Sequence, residues 1–431
     1  MTLSPAVARA AAHADEIAPE ELARLRRRTR WVLFAVAALG STGYIAAVTV
    51  GTLVAAEFSG GAALGGLPTT LTTIGTATAA SLLALLMLRA GRRSGILAGL
   101  GVGVLGGVVV LVSVLTESIP LLLLGSAFTG FANAAGNLGR YIAADMAVPA
   151  RRASAIGLVV WGTTVGAVIG PNLTAPAGAL AVELGLPELA GAYGVTVIFI
   201  GLAWLLSALA LRPEPYMLAD PSVLRPPVDA TAAPPPELGG LLTRPSVAVA
   251  LVSLVAAQVV MVLIMTMTPL HLIDHGHDLA TVGIVLSAHT FGMFGLSPIT
   301  GRLTDRYGPP PVIVSGFVVL AIAATMAALA PADGGPLLTL ALFLLGYGWN
   351  LCFVAASTLV SHRLALSERT RVQGVADTLT WGTAAFASLS SGLVVAAASY
   401  TVLGLIGLGL TLIPLGFLAT QRERLREPVA A

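Results

Sequence analysis

Apolar residues in this chain run in long blocks, each closed by charge, by proline or by a glycine cluster. A helix needs roughly 20 such residues to cross the hydrocarbon of a bilayer, so the blocks read as twelve membrane-spanning helices. In the first half they are predicted near 31–56, 66–88, 94–115, 119–147, 153–182 and 190–211. In the second half they are predicted near 246–270, 279–301, 311–331, 336–361, 371–397 and 400–420. Residues 1–30 read as a polar N-terminal arm, 212–245 as a connector between the six-helix halves 31–211 and 246–420, and 421–431 as a tail. The connector contains Arg212-Pro213-Glu214-Pro215 and Pro234-Pro235-Pro236, the composition of a flexible or polyproline-like linker. The expected fold class is an all-α polytopic membrane protein with twelve transmembrane helices in two halves.

Charge orients the helices. The arm ends in Glu21-Leu22-Ala23-Arg24-Leu25-Arg26-Arg27-Arg28, with no short apolar region or cleavage site behind it, and is expected to stay in the cytoplasm. Every odd-numbered loop is then external. Those loops hold Glu57, Glu117, Glu183, Glu188, Asp274, Asp278 and Asp333 and no arginine, as the positive-inside rule requires. A missing span would invert everything after it. All the basic residues are arginine, which with the richness in Ala, Gly, Leu and Val suggests a GC-rich bacterial gene. The expected location is a bacterial inner membrane, with both termini cytoplasmic and the chain a monomer.

Composition narrows the function. Of 431 residues 56% are hydrophobic and 10% charged, with a mean hydropathy of +0.90. Soluble domains carry about 25% charged residues, so a soluble enzyme, a nucleic-acid partner and a disordered scaffold are all disfavoured. The single cysteine, Cys352, lies in an apolar block and cannot form an internal disulfide. No phosphate-binding loop, nucleophile triad or cysteine pair appears, so neither catalysis nor a cofactor is expected. The external stretch His271-Leu272-Ile273-Asp274-His275-Gly276-His277-Asp278 offers metal-ligand types, but such a surface tolerates them freely, and no metal site is assigned.

The halves echo each other. Asn133 answers Asn350, Arg89-Ala90-Gly91 answers Arg306-Tyr307-Gly308, and Trp161-Gly162-Thr163 answers Trp381-Gly382-Thr383, in the same order. Duplicated halves are what alternating-access transporters are built from, with the substrate near the midplane. Where span eight ends, Gly301-Arg302-Leu303-Thr304-Asp305-Arg306-Tyr307-Gly308 puts a carboxylate and a guanidinium at a tight turn, able to pair with neighbouring helix ends. This stretch resembles the signature of the major facilitator superfamily, Gly-x-Leu-x-Asp-Arg-x-Gly-Arg-Arg, found after helices two and eight. The second-half copy ends in Pro309-Pro310 in place of the basic pair. The first-half copy, from Ala84 to Arg93, keeps Arg89, Gly91, Arg92 and Arg93 but has Ala84 for Gly and Leu88 for Asp. The resemblance implies a cytoplasmic gate of Arg89, Gly91, Arg92, Gly301, Asp305, Arg306 and Gly308. Asp145 would be its acidic partner and pair with Arg89 or Arg92.

On span five, Gly162, Gly166 and Gly170 make a flat ridge followed by Pro171. This resembles the family's antiporter motif and weighs toward proton-coupled efflux of a drug or metabolite over proton-coupled uptake of a nutrient or metabolite. The alternative of another class is a non-transporting sensor or scaffold. Polar stripes lie on spans one, four, seven and ten, the helices that line the cavity in this superfamily. They supply Tyr44, Asn133, Asn137, Gln258, Trp349 and Asn350 as candidate substrate contacts. Ionisable groups at membrane depth are expensive, so His289 and Asp377 are the candidate proton-coupling residues. Arg140, at the end of span four, is expected to snorkel. The expected partners are a small-molecule substrate, protons and the lipid bilayer.

Overall fold

The computed structural model describes residues 17–59, 66–219, 238–277, 279–330, 335–360, 364 and 366–426. Among these, twelve helices are long and apolar enough to cross a membrane. They are α1 (Pro19–Ser59), α2 (Leu67–Ala90), α3 (Arg92–Leu115), α4 (Ile119–Asp145), α5 (Arg152–Glu183) and α6 (Ala190–Ala210), then α7 (Pro245–Asp274). The series continues with α8 (Leu279–Phe294 and Ser297–Tyr307), α9 (Pro309–Leu329), α10 (Gly335–Val360), α11 (Leu366–Ala397) and α12 (Tyr400–Arg426).

Three boundaries depart from the expected ones. Residues 19–30, expected as a polar arm, are the start of α1, and Glu20 and Glu21 fall in its first turn, where acidic groups suit the helix dipole. The connector begins not as a free linker but as a docked strap. Pro215–Leu218 form a short 3-10 turn in which Tyr216 and Leu218 are buried. Arg26 donates to the carbonyls of Leu218 and Ala219, both at 2.8 Å, which ties the strap to α1. Span eight is a broken helix. Pro298 has no N–H to give the carbonyl of Phe294, and its ring crowds that carbonyl, so the helix parts at Gly295-Leu296. The hydroxyl of Ser297 donates to the Phe294 carbonyl at 2.7 Å instead. One residue further back, the Met293 carbonyl accepts from the Asn350 amide of α10 at 2.6 Å. Neighbouring side chains thus satisfy what the proline freed.

By packing, the chain forms two units, and each takes a piece of the other half. The first contains residues 17–148, 159–219 and 366–381; the second contains 149–158, 238–364 and 382–426. Lipid tails are as apolar as leucine, so helices associate through close backbone approach rather than through exclusion of water. In the first unit, a Cβ on Gly106 of α3 would meet the Gly125 carbonyl of α4 at 2.8 Å. In the second, a Cβ on Gly348 of α10 would meet the Leu320 nitrogen of α9 at 2.9 Å.

Candidate functional site

Two buried charge clusters lie in the first unit, both between α4 and α11. Around Arg140, the guanidinium Nη2 donates to Asp377 Oδ1 at 2.5 Å and to the Tyr141 hydroxyl at 3.0 Å. Nη1 reaches Asp377 Oδ2 at 3.3 Å and the Asn137 carbonyl at 2.7 Å. The two charged side chains are 1% and 2% exposed. Arg140 therefore does not snorkel: its counter-ion is on a helix the sequence places far away, and pairing in the interior replaces the route to water. Asn137 and Asn133 lie on the same face of α4, both partly buried, with the Asn137 amide donating to the Asn133 carbonyl at 3.0 Å.

The second cluster sits nearer the arginine-bearing end. Arg92 Nη2 donates to Asp145 Oδ2 at 2.5 Å and to Gln373 Oε1 at 2.9 Å. Arg369 of α11 approaches Asp145 Oδ1 at 3.5 Å, so one carboxylate lies between two guanidiniums. Of the two arginines expected to pair with Asp145, Arg92 takes the place, and Arg89 is exposed. The strap closes over this cluster. Arg92 lies over the Tyr216 ring at 5.4 Å, and the Tyr216 hydroxyl reaches the Met87 carbonyl and the Thr370 hydroxyl, each at 3.3 Å. Glu214 accepts from the Arg93 backbone N–H at 3.2 Å, satisfying one of the donors that a helix start leaves open. Burial raises the Glu214 carboxyl above its usual range, against the opposing pull of the Arg93 and Arg92 amides and charges. Gly91 makes this possible. Its φ is +97°, and a Cβ there would lie 2.8 Å from the Glu214 carboxyl carbon.

In the second unit, Asp305 caps α5. Its two carboxylate oxygens accept from the backbone N–H groups of Ala153 and Ser154, each at 2.9 Å. A negative group set at a helix N-terminus also suits the dipole. Gly301 lets the helices approach, since a Cβ there would come 2.7 Å from the Ala153 carbonyl, and Gly308 turns the chain with φ +82°. Arg306 is not drawn into this cap. It is exposed and lies over the Tyr307 ring at 5.2 Å.

The remaining polar candidates in this unit are engaged within the bundle. Trp349 Nε1 donates to Gln258 Oε1 at 2.7 Å, and both side chains are buried. Asn350 is 0% exposed, bonded to Thr300, Ser297 and the Met293 carbonyl. Its place is explained by the break in α8, and nothing in its geometry leaves it facing a ligand. His289 is also buried, with Nδ1 at 2.9 Å from the Leu342 carbonyl and Nε2 without a hydrogen-bond partner. The ring of His271 stacks on Tyr400 with centroids 4.2 Å apart, while Asp278 lies outside the described residues. Back in the first unit, Tyr44 is partly buried on α1. The ridge of α5 meets α1 directly. Cβ atoms on Gly162 and Gly170 would lie 2.6 and 2.9 Å from the carbonyls of Phe34 and Thr42, and one on Gly166 would collide with Ser41. Pro171 stays within the helix.

Sequence reasoning missed Arg369, Gln373, Glu214 and Tyr216. A signal existed for two of them: Arg369, Gln373 and Asp377 recur every fourth residue and share a face of α11.

Comparison with known proteins agrees with this architecture. The family model for the Major Facilitator Superfamily matches residues 31–388 and 250–429. The MFS-type transporters YdeG and YddS of Bacillus subtilis are each 36% identical, over 92% of this chain and 93% and 92% of their own lengths. The riboflavin transporter RfnT of Brucella anthropi is 29% identical over 85% of this chain and 88% of its own. Among solved structures, the human organic anion transporter MFSD10 aligns with a TM-score of 0.70 at 17% identity, covering 91% of this chain and 99% of that one. The E. coli fucose:proton symporter FucP aligns at 0.64 and 15% identity, covering 91% and 98%. At such identities the structural likeness speaks for the fold alone.

Proposed function

Because this chain belongs to the Major Facilitator Superfamily and is a membrane transporter rather than an enzyme, we propose that it carries a small molecule by alternating access, coupled to protons through Asp377. One observation carries this reading: a carboxylate in the middle of an apolar helix bundle, balanced by the Arg140 guanidinium. Such a pair is a costly way to stabilise a fold, since well-packed apolar residues do as well or better. A group that gains and loses a proton during transport gives it a reason to be there. The Arg92–Asp145 cluster and the Asp305 cap serve as the gate at the arginine-bearing end. Asn133, Asn137 and Tyr44, which keep partial exposure, are better placed to meet a substrate than Asn350, Gln258 or Trp349.

The pair also bears on direction. A second cation approaching Asp377 meets the positive charge of Arg140 at contact distance, so a cationic substrate is disfavoured there. A neutral or anionic molecule that accompanies the proton fits better, and an inward proton gradient then drives uptake into a bacterial cell. The riboflavin transporter among the relatives makes riboflavin a first compound to try. A second reading, proton-driven efflux, is favoured by the Gly162–Pro171 ridge of α5, which packs against α1 and resembles an antiporter motif.

Transport of a candidate panel into right-side-out and everted membrane vesicles separates the two. Uptake into right-side-out vesicles that requires an inward proton gradient and vanishes in Asp377→Asn supports the first reading. Accumulation in everted vesicles driven by proton exit supports efflux. Proton-independent transport in both overturns the role of Asp377.

A further inference from the structure

We propose that Arg140 is the residue that binds the substrate, and that the group it binds is a planar or tetrahedral oxyanion such as a carboxylate. In the empty carrier the guanidinium holds Asp377. In the loaded carrier Asp377 carries the proton and the guanidinium holds the anionic group. This rests on Asp377 as the proton site and adds the chemical class of the substrate.

The argument begins with what a proton on Asp377 does to its neighbour. Arg140 cannot shed its own proton, so neutralising Asp377 leaves a cation buried without its counter-charge. The groups facing Asp377 from α4 are Arg140 and the Tyr141 hydroxyl, the latter 3.3 Å from Oδ1. Helix α2 lies against the same stretch of α11 through the Ser81–Thr378 bond, and its one charged residue, Arg89, is exposed. Further along the same two helices, Asp145 of α4 and Arg369 of α11 are engaged with each other at 3.5 Å, and Arg371 and Glu368 lie toward the start of α11. Among these described groups no other carboxylate is placed beside Arg140 as Asp377 is, and in the proposed cycle the compensating charge arrives with the proton.

The contrast with Arg92 sharpens the point. There Asp145 lies between two guanidiniums, and Gln373 and the Tyr216 ring add further partners, so the cluster is built to stay assembled. Arg140 instead presents Nη1 and Nη2 as a fork to the two oxygens of one carboxylate. That geometry transfers without change to any two-oxygen anion. Its neighbours along the same face of α4 are polar and only partly buried: Asn133 and Asn137 lie there, and the Asn137 carbonyl already contacts Nη1.

Charge balance then sets the coupling. Empty, the site holds one negative and one positive group; loaded, it holds a neutral acid and a guanidinium paired with the anion. Both states are neutral. A proton without the anion, or the anion without a proton, leaves one buried charge uncompensated, so the half-loaded carrier is penalised. One proton therefore travels with each anionic group.

The test uses the purified full-length protein in lipid nanodiscs, titrated with acid while the infrared band of a protonated carboxyl is followed. Asp377→Asn assigns the band. The probe is nitrate, a planar anion with the oxygen spacing of a carboxylate. Above its dissociation constant, each tenfold rise in nitrate should lift the half-protonation pH by about one unit in the wild type. Arg140→Lys, which keeps the charge and loses the fork, should show a smaller lift, and Arg140→Gln none. A half-protonation pH indifferent to nitrate overturns the proposal while leaving Asp377 as the proton site, as does an equal lift in Arg140→Gln. Absence of any band that Asp377→Asn removes overturns the proton reading itself. Should Arg140→Gln fail to fold, the wild-type nitrate series still decides.

Discussion

Asn350→Ala should be among the most damaging single substitutions in the second unit, and for a reason unrelated to substrate. The amide makes three short bonds: from the Thr300 hydroxyl at 2.6 Å, to the Met293 carbonyl at 2.6 Å and to the Ser297 hydroxyl at 2.7 Å. Hydrogen bonds between membrane helices average about 0.6 kcal/mol and reach about 1.7 kcal/mol, so three of them come to about 2 kcal/mol. The side chain is fully buried, and its loss also leaves a void and withdraws a donor from a carbonyl at the helix break. With these included the expected cost is about 2–4 kcal/mol. The corresponding residue of the first half supplies the control. Asn133 is partly exposed and its bond to the Thr76 hydroxyl of α2 is 3.4 Å long, so Asn133→Ala should cost less than about 1 kcal/mol. Unfolding of the two variants in mixed micelles against increasing SDS measures both. If Asn350→Ala stays within about 0.5 kcal/mol of the wild type, or if Asn133→Ala is equally damaging, the account of the α8 break is wrong. A raised KM with unchanged stability would likewise return Asn350 to the substrate site.

Further tests use the turns, the strap and the lone cysteine. Gly91→Ala and Gly308→Ala both force a side chain to positive φ with extended ψ, at about 1–3 kcal/mol each. Only Gly91→Ala also displaces Glu214, so it should lower the melting temperature more than Gly308→Ala, where the nearest atom to a new Cβ is 4.0 Å away. Because the folded Glu214 carboxyl is raised, its contribution to stability is fully present below about pH 4.5 and declines as pH rises through the raised value. Glu214→Gln should flatten that slope in melting curves measured across pH, and an unchanged slope refutes the assignment. Cys352 is fully buried with Sγ 3.7 Å from the Ile313 carbonyl, so maleimide should leave the folded protein unlabelled. In that background Glu117→Cys should react with an impermeant maleimide added to intact cells. Reaction only in everted vesicles would reverse the orientation inferred from arginine placement.

The twelve helices were legible because block length and charge placement are properties of the chain itself. What side chains touch is a property of neighbours, and there the reading thinned. Periodicity put Asn133, Asn137 and Arg140 on one face of α4 but could not say that Asp377 would face them, since that depends on how α11 lies on α4. Asn350 looked like a substrate contact because it is polar in an apolar block, and the demand it meets comes from Pro298 on another helix. The Pro-rich start of the connector masked Tyr-Met-Leu, an apolar triplet that gives the strap its anchor.

That anchor changes where this molecule can be cut or lengthened. Hydropathy alone would mark everything after Leu211 as spare chain, suitable for splicing in a reporter domain or a protease site. The grip of Arg26, Arg93 and Thr370 on residues 214–219 takes that stretch out of the spare chain. An insertion at 213, just ahead of the docked turn, should cripple the carrier.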